Sequence, residues 1–342
     1  QGLPEWLLEA MKKDRKSMLT ASAWKSLAFI LAAFGLIYFY LKGKISDLVL
    51  GFGLLALVTL DLWMVNRQYL NQESFQPNPA ESFFAITPAE EVVAQDQSHF
   101  RVLSLTESLT KGARTSYRFQ SLSGYHGAKL RRYQDLLDNQ LTFELDEFVK
   151  KAQAGEFDFE GIQVMNMLNT KYIIAGTAAN SVFENPAANG PAWVPTELVP
   201  VANNQDEMKQ LGEIDTKISA TVNNSEYPNL TAGLGQIKLD SYLPNELKYT
   251  AMMQEAGLGV FSEIHYPVGW TATIDGQETE ILRVDYLLRG LAIPEGQHEV
   301  IFKFAPKSYT ATKIPMIIFQ YLILAGLITG IFLTIKSKSD GD

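Results

Sequence analysis

The sequence predicts a membrane protein with three transmembrane helices and an extracytoplasmic α+β module that ends in a β-sandwich. Three observations carry this expectation. Apolar residues concentrate near the chain ends: residues 26–41 and 314–335 carry no charged side chain, and residues 48–65 carry only Asp61. Charge is unevenly spread, with 20 basic and 31 acidic side chains in residues 66–313. From Gly235 onward, apolar and polar residues alternate in short runs divided by turns, as half-buried strands do.

Residues 1–22 read as an amphipathic interfacial helix, since Trp6, Leu7, Ala10 and Met11 recur at helical spacing while Lys12, Lys13, Arg15 and Lys16 would face lipid headgroups. Residues 23–65 read as a transmembrane hairpin turning across 42–47. Trp24, Tyr38 and Tyr40 fall where amphipathic rings prefer the interface, and Lys25 can snorkel. A buried helical pair in a soluble protein would give the same runs. Residues 66–234 read as a mixed α+β region. It holds a connector rich in Asn, Gln and Pro, a strand over 100–105, helices over 127–141 and 144–154, a short helix closing near Asn169, and a strand over 171–175. Residues 180–200 carry too many Pro, Asn and Gly for a long regular element.

Residues 235–313 read as the β-sandwich. Trp270, Ala272 and Ile274 share a face, Asp275-Gly276 makes a hairpin turn, and Val300, Phe302 and Phe304 share a face after the turn Pro294-Glu295-Gly296. Residues 314–335 form the last span, about 33 Å as a helix against about 30 Å of hydrocarbon. Residues 336–342 are a polar tail. The chain opens on Gln1 and a mixed charge cluster rather than a signal peptide, and reads as the C-terminal part of a longer protein.

With 342 residues, 46% of them hydrophobic and 11% aromatic, the chain can bury a sizeable core. A formal net charge of -9 argues against nucleic acid as a partner. The absence of cysteine excludes disulfides, thiolate zinc, iron–sulfur clusters and a cysteine nucleophile. The four histidines lack ligand spacing, no HExxH, GxSxG or P-loop pattern occurs, and no cofactor or catalytic set is indicated. His265 and His298 read as surface residues. Trp193 and Trp270 are candidates for stacking on sugar rings, with core packing the stronger reading for Trp270. Asp61 either pairs near its span end with Arg67 or is functional. Lys42, Lys44, Lys336 and Lys338 would lie together opposite the module, favouring an external module, whereas the basic cluster at 12–16 points the other way.

The most unusual local feature is residues 108–134, where Lys111, Arg114, Arg118, Lys129, Arg131 and Arg132 occur without one acidic residue. Cations at the start of a helix repel the positive end of its dipole, so stability alone calls for Asp or Glu there. An anion would reverse the sign of that penalty. Arg118, Tyr125, His126, Lys129, Arg131 and Arg132 are therefore candidates to bind a lipid phosphate or similar anion. Two other readings stand beside this one: a solvated helix face with Arg131 paired to Asp135, or a patch against anionic headgroups.

Several stretches resemble one family. They are residues 61–70 (DLWMVNRQYL), 123–136 (SGYHGAKLRRYQDL), 167–174 (MLNTKYII), 241–247 (SYLPNEL) and 261–304, which contains EIHYPVGWTATIDG and VDYLLRGLAIPEG. In these the chain resembles the C-terminal part of YfhO-like bacterial membrane proteins, regarded as GT-C type glycosyltransferases. The resemblance implies a multi-pass protein of the bacterial cytoplasmic membrane with an external module. It also implies a polyprenyl-phosphate sugar as donor and a cell-envelope glycan or glycolipid as acceptor. The resemblance places the family's catalytic acidic residue in an early external loop between N-terminal spans absent from this sequence, so no catalytic base can be placed here and the expected role of this part is to position donor phosphate or acceptor. The competing expectation is a non-catalytic, membrane-anchored module that binds glycan or protein.

Overall fold

Two long apolar helices without a buried residue dominate the first part of the chain. The computed structural model describes residues 4–75 and 78–339, with residues 79 and 334–339 described by backbone alone. The chain divides into two units, Gln1–Phe83 and Phe84–Asp342.

In the first unit, α1 (Glu5–Leu41) and α2 (Asp47–Tyr69) form a helical hairpin in which neither helix has a buried residue. Both are long and apolar enough to cross a membrane. Gly43 makes the turn with φ +69°. Ser46 caps α2 by accepting the Val49 N–H at 3.4 Å. Gly53 lets the helices approach, because a Cβ there would stand 2.9 Å from Leu36 Cδ1. The interfacial helix expected over residues 1–22 is not a separate element. From Glu5 it continues into the first span, since nothing before residue 41 breaks or caps the helix. At 37 residues α1 is about 55 Å long, well beyond about 30 Å of hydrocarbon. The expected Asp61–Arg67 pair is replaced by a different contact, with the Arg67 guanidinium 5.9 Å from the centre of the Trp63 ring. After α2, a 3-10 turn (Gln72–Ser74) capped by Asn71 leads to α3 (Pro79–Phe83).

The second unit starts with α4 (Pro88–Val93), whose capping box joins Thr87 and Glu90. β1 (Arg101–Ser104) pairs in parallel with β2 (Thr170–Ile174), and β3 (Val182–Glu184) adds antiparallel to β2. The crossover between β1 and β2 carries the helices. The two helices expected over 127–141 and 144–154 are one continuous rod: α5 (Arg131–Leu136), a π turn (Leu137–Leu141) and α6 (Thr142–Gln153). No Gly or Pro separates them, and the wide turn sets Leu136, Leu137 and Leu141 together in the core. The rod begins at Arg131, four residues later than expected, with Leu130 at its N-cap supplying no capping side chain. α7 (Gln163–Met167) precedes β2. β4 (Ala192–Trp193), β5 (Glu197–Val201), α8 (Asn204–Leu211) and β6 (Ser219–Asn223) follow, with β5 and β6 parallel.

The expected sandwich is present. Its strands are β7 (Leu234–Leu243), β8 (Glu246–Glu255), β9 (Gly257–Ile264), β10 (Trp270–Ile274), β11 (Gln277–Thr279), β12 (Leu282–Val284), β13 (Leu288–Ile293) and β14 (Gly296–Phe304). One sheet has the order β11-β10-β14-β8-β7, the other β12-β13-β9-β4. Asp275 and Gly276 both take positive φ in the β10–β11 turn. Between the sheets Tyr249, Phe261 and Phe302 meet edge to face, with ring centres 4.8 to 6.0 Å apart.

The boundary expected at 234/235 is not a clean one. β4 enters the second sheet from residues 192–193, and β9 faces two cores. Phe261 points into the sandwich, while Leu258 and Val260 pack with Leu136, Leu137, Met165 and Phe148 of the helical layer. The strand period of two thus joins the layers. α9 (Lys307–Ser339), which includes the third membrane-length stretch, starts before residue 314 and takes in Pro315.

Candidate functional site

The loop from Glu107 to Leu130 owes its shape to one carboxylate. Glu107 accepts the backbone N–H groups of Arg114 (2.9 Å) and Thr115 (3.1 Å) and the Ser123 hydroxyl (3.3 Å). Burial opposes its ionisation, yet these hydrogen bonds hold its pKa below the usual range. The cations of the segment are distributed by what they meet. Arg114 pairs with Glu90 at 2.6 Å. Arg118 donates to the Phe84 carbonyl and lies over the Tyr117 ring at 5.4 Å. Arg131, 88% exposed, pairs with Asp135 at 2.8 Å. Arg132 sits 5.0 Å from the centre of the Tyr286 ring and reaches the Tyr286 carbonyl at 3.4 Å. Asp135 in turn accepts from the Tyr286 hydroxyl at 3.2 Å. Arg131, Asp135, Arg132 and Tyr286 therefore tie α5 to the turn between β12 and β13.

The six candidates do not form one cluster. Tyr125, His126 and Lys129 line a cavity of about 470 Å³, shared with Arg101 and walled by Leu122, Leu130, Tyr133, Leu168 and Ile264. Arg131 and Arg132 lie outside that lining, and Arg118 belongs to a separate hollow of about 310 Å³ with His99 and Phe119. The reading in which Arg131 pairs with Asp135 is the one the geometry realises.

His126 Nδ1 accepts the Ala128 N–H at 3.0 Å, which places the ring proton of the neutral form on Nε2. Lys129 makes no ion pair among the described residues. Tyr133 donates to the Leu122 carbonyl at 2.7 Å, and burial pushes its phenol up to about 12, so it stays a donor. The cavity is thus lined by a lysine, a donating imidazole and an exposed tyrosine together with aliphatic side chains.

Arg101 was not legible as a site residue. Its Nη1 donates to the carbonyls of Leu168 (2.8 Å) and Ser262 (2.6 Å), and Nη2 lies 3.8 Å from Glu263. Glu263 also meets His99 at 3.4 Å. Burial works against its charge, but His99 and the nearby Arg101 and Arg289 charges keep its pKa low. Partners 161 residues apart leave no local pattern; an arginine at the start of a strand is the only sequence signal.

The expectations for Trp193 and for the two histidines change, while the core-packing reading of Trp270 holds. Trp193 is 7% exposed and packs in the core, so it is no sugar platform. Trp270 is half-buried beneath Arg289, whose guanidinium is 4.0 Å from its ring centre. His265 is half-buried, with burial and then Arg283 lowering its pKa, while His298 hydrogen-bonds Asp275 at 2.6 Å. Among the described residues no group of three or more acidic or histidine side chains is placed to hold a metal ion.

Residues 214–314 match the family described as bacterial membrane protein YfhO. Two of the resembling stretches, 241–247 and 261–304, fall inside that match. With three membrane-length helices and the β-rich region, the match supports a multi-pass, YfhO-like membrane protein. No curated protein and no solved structure matches the chain.

Proposed function

We propose that this chain is the C-terminal portion of an envelope glycosyltransferase of the bacterial cytoplasmic membrane, its module extracytoplasmic, and that the cavity beside Lys129 receives the phosphate of a polyprenyl-phosphate sugar. One observation carries the reading: a lysine with no ion pair among the described residues and a donating histidine share a cavity lined by aliphatic side chains. A phosphate needs charge-assisted donors and a prenyl chain needs apolar surface. Lys129 and His126 Nε2 would grip the anion, Tyr125 would add a hydroxyl, and Arg101 would contribute positive potential from the inner wall. If the bond between sugar and phosphate breaks here, these donors stabilise the charge left on the phosphate. Arg131, Arg132 and Arg118 serve as structural residues in this reading.

The test is binding of a polyprenyl phosphate to the full chain in nanodiscs. Lys129→Ala and His126→Ala should each weaken it about tenfold, whereas Arg131→Ala should leave it unchanged. Equal affinity for wild type and Lys129→Ala would refute the assignment. Saturable binding of a free glycan with no binding of polyprenyl phosphate would favour the membrane-anchored binding module.

A further inference from the structure

A second cleft, of about 770 Å³, opens where the loop between α6 and α7 meets residues 186–189 and 215–217. Its volume falls in the range of about 300–1,000 Å³ typical of small-molecule sites. The chemistry of its lining is opposite to that of the cationic cavity. Phe157 is 42% exposed, and its ring is held against Phe183 (4.6 Å between centres) and Phe159 (6.3 Å). It is therefore a fixed aromatic platform. Around it stand the carboxylates of Asp158, Glu160 and Asp215. Asp158 is taken by Lys151 at 2.6 Å. The Asp215 carboxylate accepts the Lys217 backbone N–H, at 2.9 Å, and neither it nor Glu160 makes an ion pair among the described residues.

Asn189 belongs to the wall of the cleft, with its side-chain oxygen enclosed. Asn189 is 7% exposed, and its Oδ1 has no hydrogen-bond partner. The orientation of this amide is fixed by its neighbours. The Thr216 hydroxyl gives its proton to Gln163 at 3.0 Å, so it must accept from Asn189 Nδ2, at 3.2 Å. The oxygen is thus left without a donor. The cleft has surplus acceptors and one aromatic face.

This combination selects the ligand class. Three carboxylates stand against Lys217, and Asp158 is already matched by Lys151, so a small negative excess remains and disfavours phosphates and other anions. A shared cation is not favoured either, since no three acidic or histidine side chains of the described residues are grouped to hold one. What satisfies surplus acceptors while covering an aromatic ring is a polyol with an apolar C–H face. We infer that this cleft binds a neutral or amino saccharide, its C–H face on Phe157 and its hydroxyls donating to Asp215 and Glu160. Assigning that saccharide as the acceptor of sugar transfer rests on the function proposed above; the binding itself does not.

The experiment titrates the full chain in detergent with glucose, glucosamine, N-acetylglucosamine and cellobiose, read by saturation-transfer NMR. At least one should bind saturably. Phe157→Ala, and separately the near-isosteric Asp215→Asn and Glu160→Gln, should weaken binding tenfold or more, with Lys129→Ala unaffected. No saturable binding by any of the four would overturn the inference. Binding insensitive to all three cleft substitutions, each shown to leave the melting temperature unchanged, would overturn it too. Polyprenyl-phosphate binding weakened in Lys129→Ala but unchanged in Asp215→Asn separates this cleft from the cationic cavity, so one assignment can fail without the other.

Discussion

The turn between β12 and β13 holds a carboxylate whose protonation should set how the module's stability varies with pH. Asp285 is fully buried, with φ +47°, and the next residue, Tyr286, has φ +68°. Oδ1 of Asp285 accepts the Thr221 N–H at 2.7 Å and the Thr221 hydroxyl at 3.2 Å, while Oδ2 has no partner. Burial, with the nearby Glu207 charge adding to it, raises the Asp285 pKa from 3.8 to about 7. The folded state therefore binds this proton more tightly than the unfolded state does. Stability should fall as pH rises from about 4 through about 7 and level off above. At about 1.4 kcal/mol per tenfold, the penalty for holding the ionised form reaches at most about 4 kcal/mol.

Asp285→Asn tests this directly. Asparagine keeps the acceptor for Thr221, tolerates the left-handed backbone and has no charge to bury. Thermal unfolding of the full chain in detergent, followed from pH 4.5 to 8.5, should show the variant gaining on the wild type as pH rises. Subtracting the two curves removes groups common to both, Glu144 among them. Parallel curves across that range would show that Asp285 does not govern the pH dependence.

Glu144 accepts the N–H groups of Val164 (2.7 Å) and Met165 (3.1 Å), and burial raises its pKa to about 7 despite those bonds. Glu144→Ala strands both donors at the start of α7 and should cost about 1–3 kcal/mol in a denaturant melt. Gly257→Ala would drive a Cβ into the Gly233 backbone, where no side chain can give way, and should destabilise by about 1–3 kcal/mol in the same melt. Arg131→Ala removes an exposed pair and should change stability by less than about 0.5 kcal/mol. Arg132→Ala, which uncovers Tyr286, should cost about 0.5–1 kcal/mol.

The features readable in the sequence are those governed by near neighbours. Uninterrupted apolar runs of sufficient length mark the three membrane-length helices. Alternation at Trp270, Ala272 and Ile274, with Asp275-Gly276 after it, marks a hairpin because both the pleat and the turn are properties of a few consecutive residues. Arg131 and Asp135, four apart, were a readable pair for the same reason. Element ends were less legible: α1 absorbs the expected interfacial helix, and the rod begins at Arg131, four residues later than the apolar stripe suggested.

By itself, then, the sequence determined the membrane-length helices, the sandwich and the concentration of positive charge over residues 108–134. Only the tertiary structure decided which of those charges are available to a ligand. Glu90 reaches Arg114 across 24 residues and the Tyr286 carbonyl reaches Arg132 across 154. Such partners are set by how layers pack, since neutralisation depends on distance in space and short-range periodicity carries no record of it. Folding withdrew Arg114, Arg131 and Arg132 into local contacts and left Lys129 without an ion pair among the described residues, lining a cavity with His126.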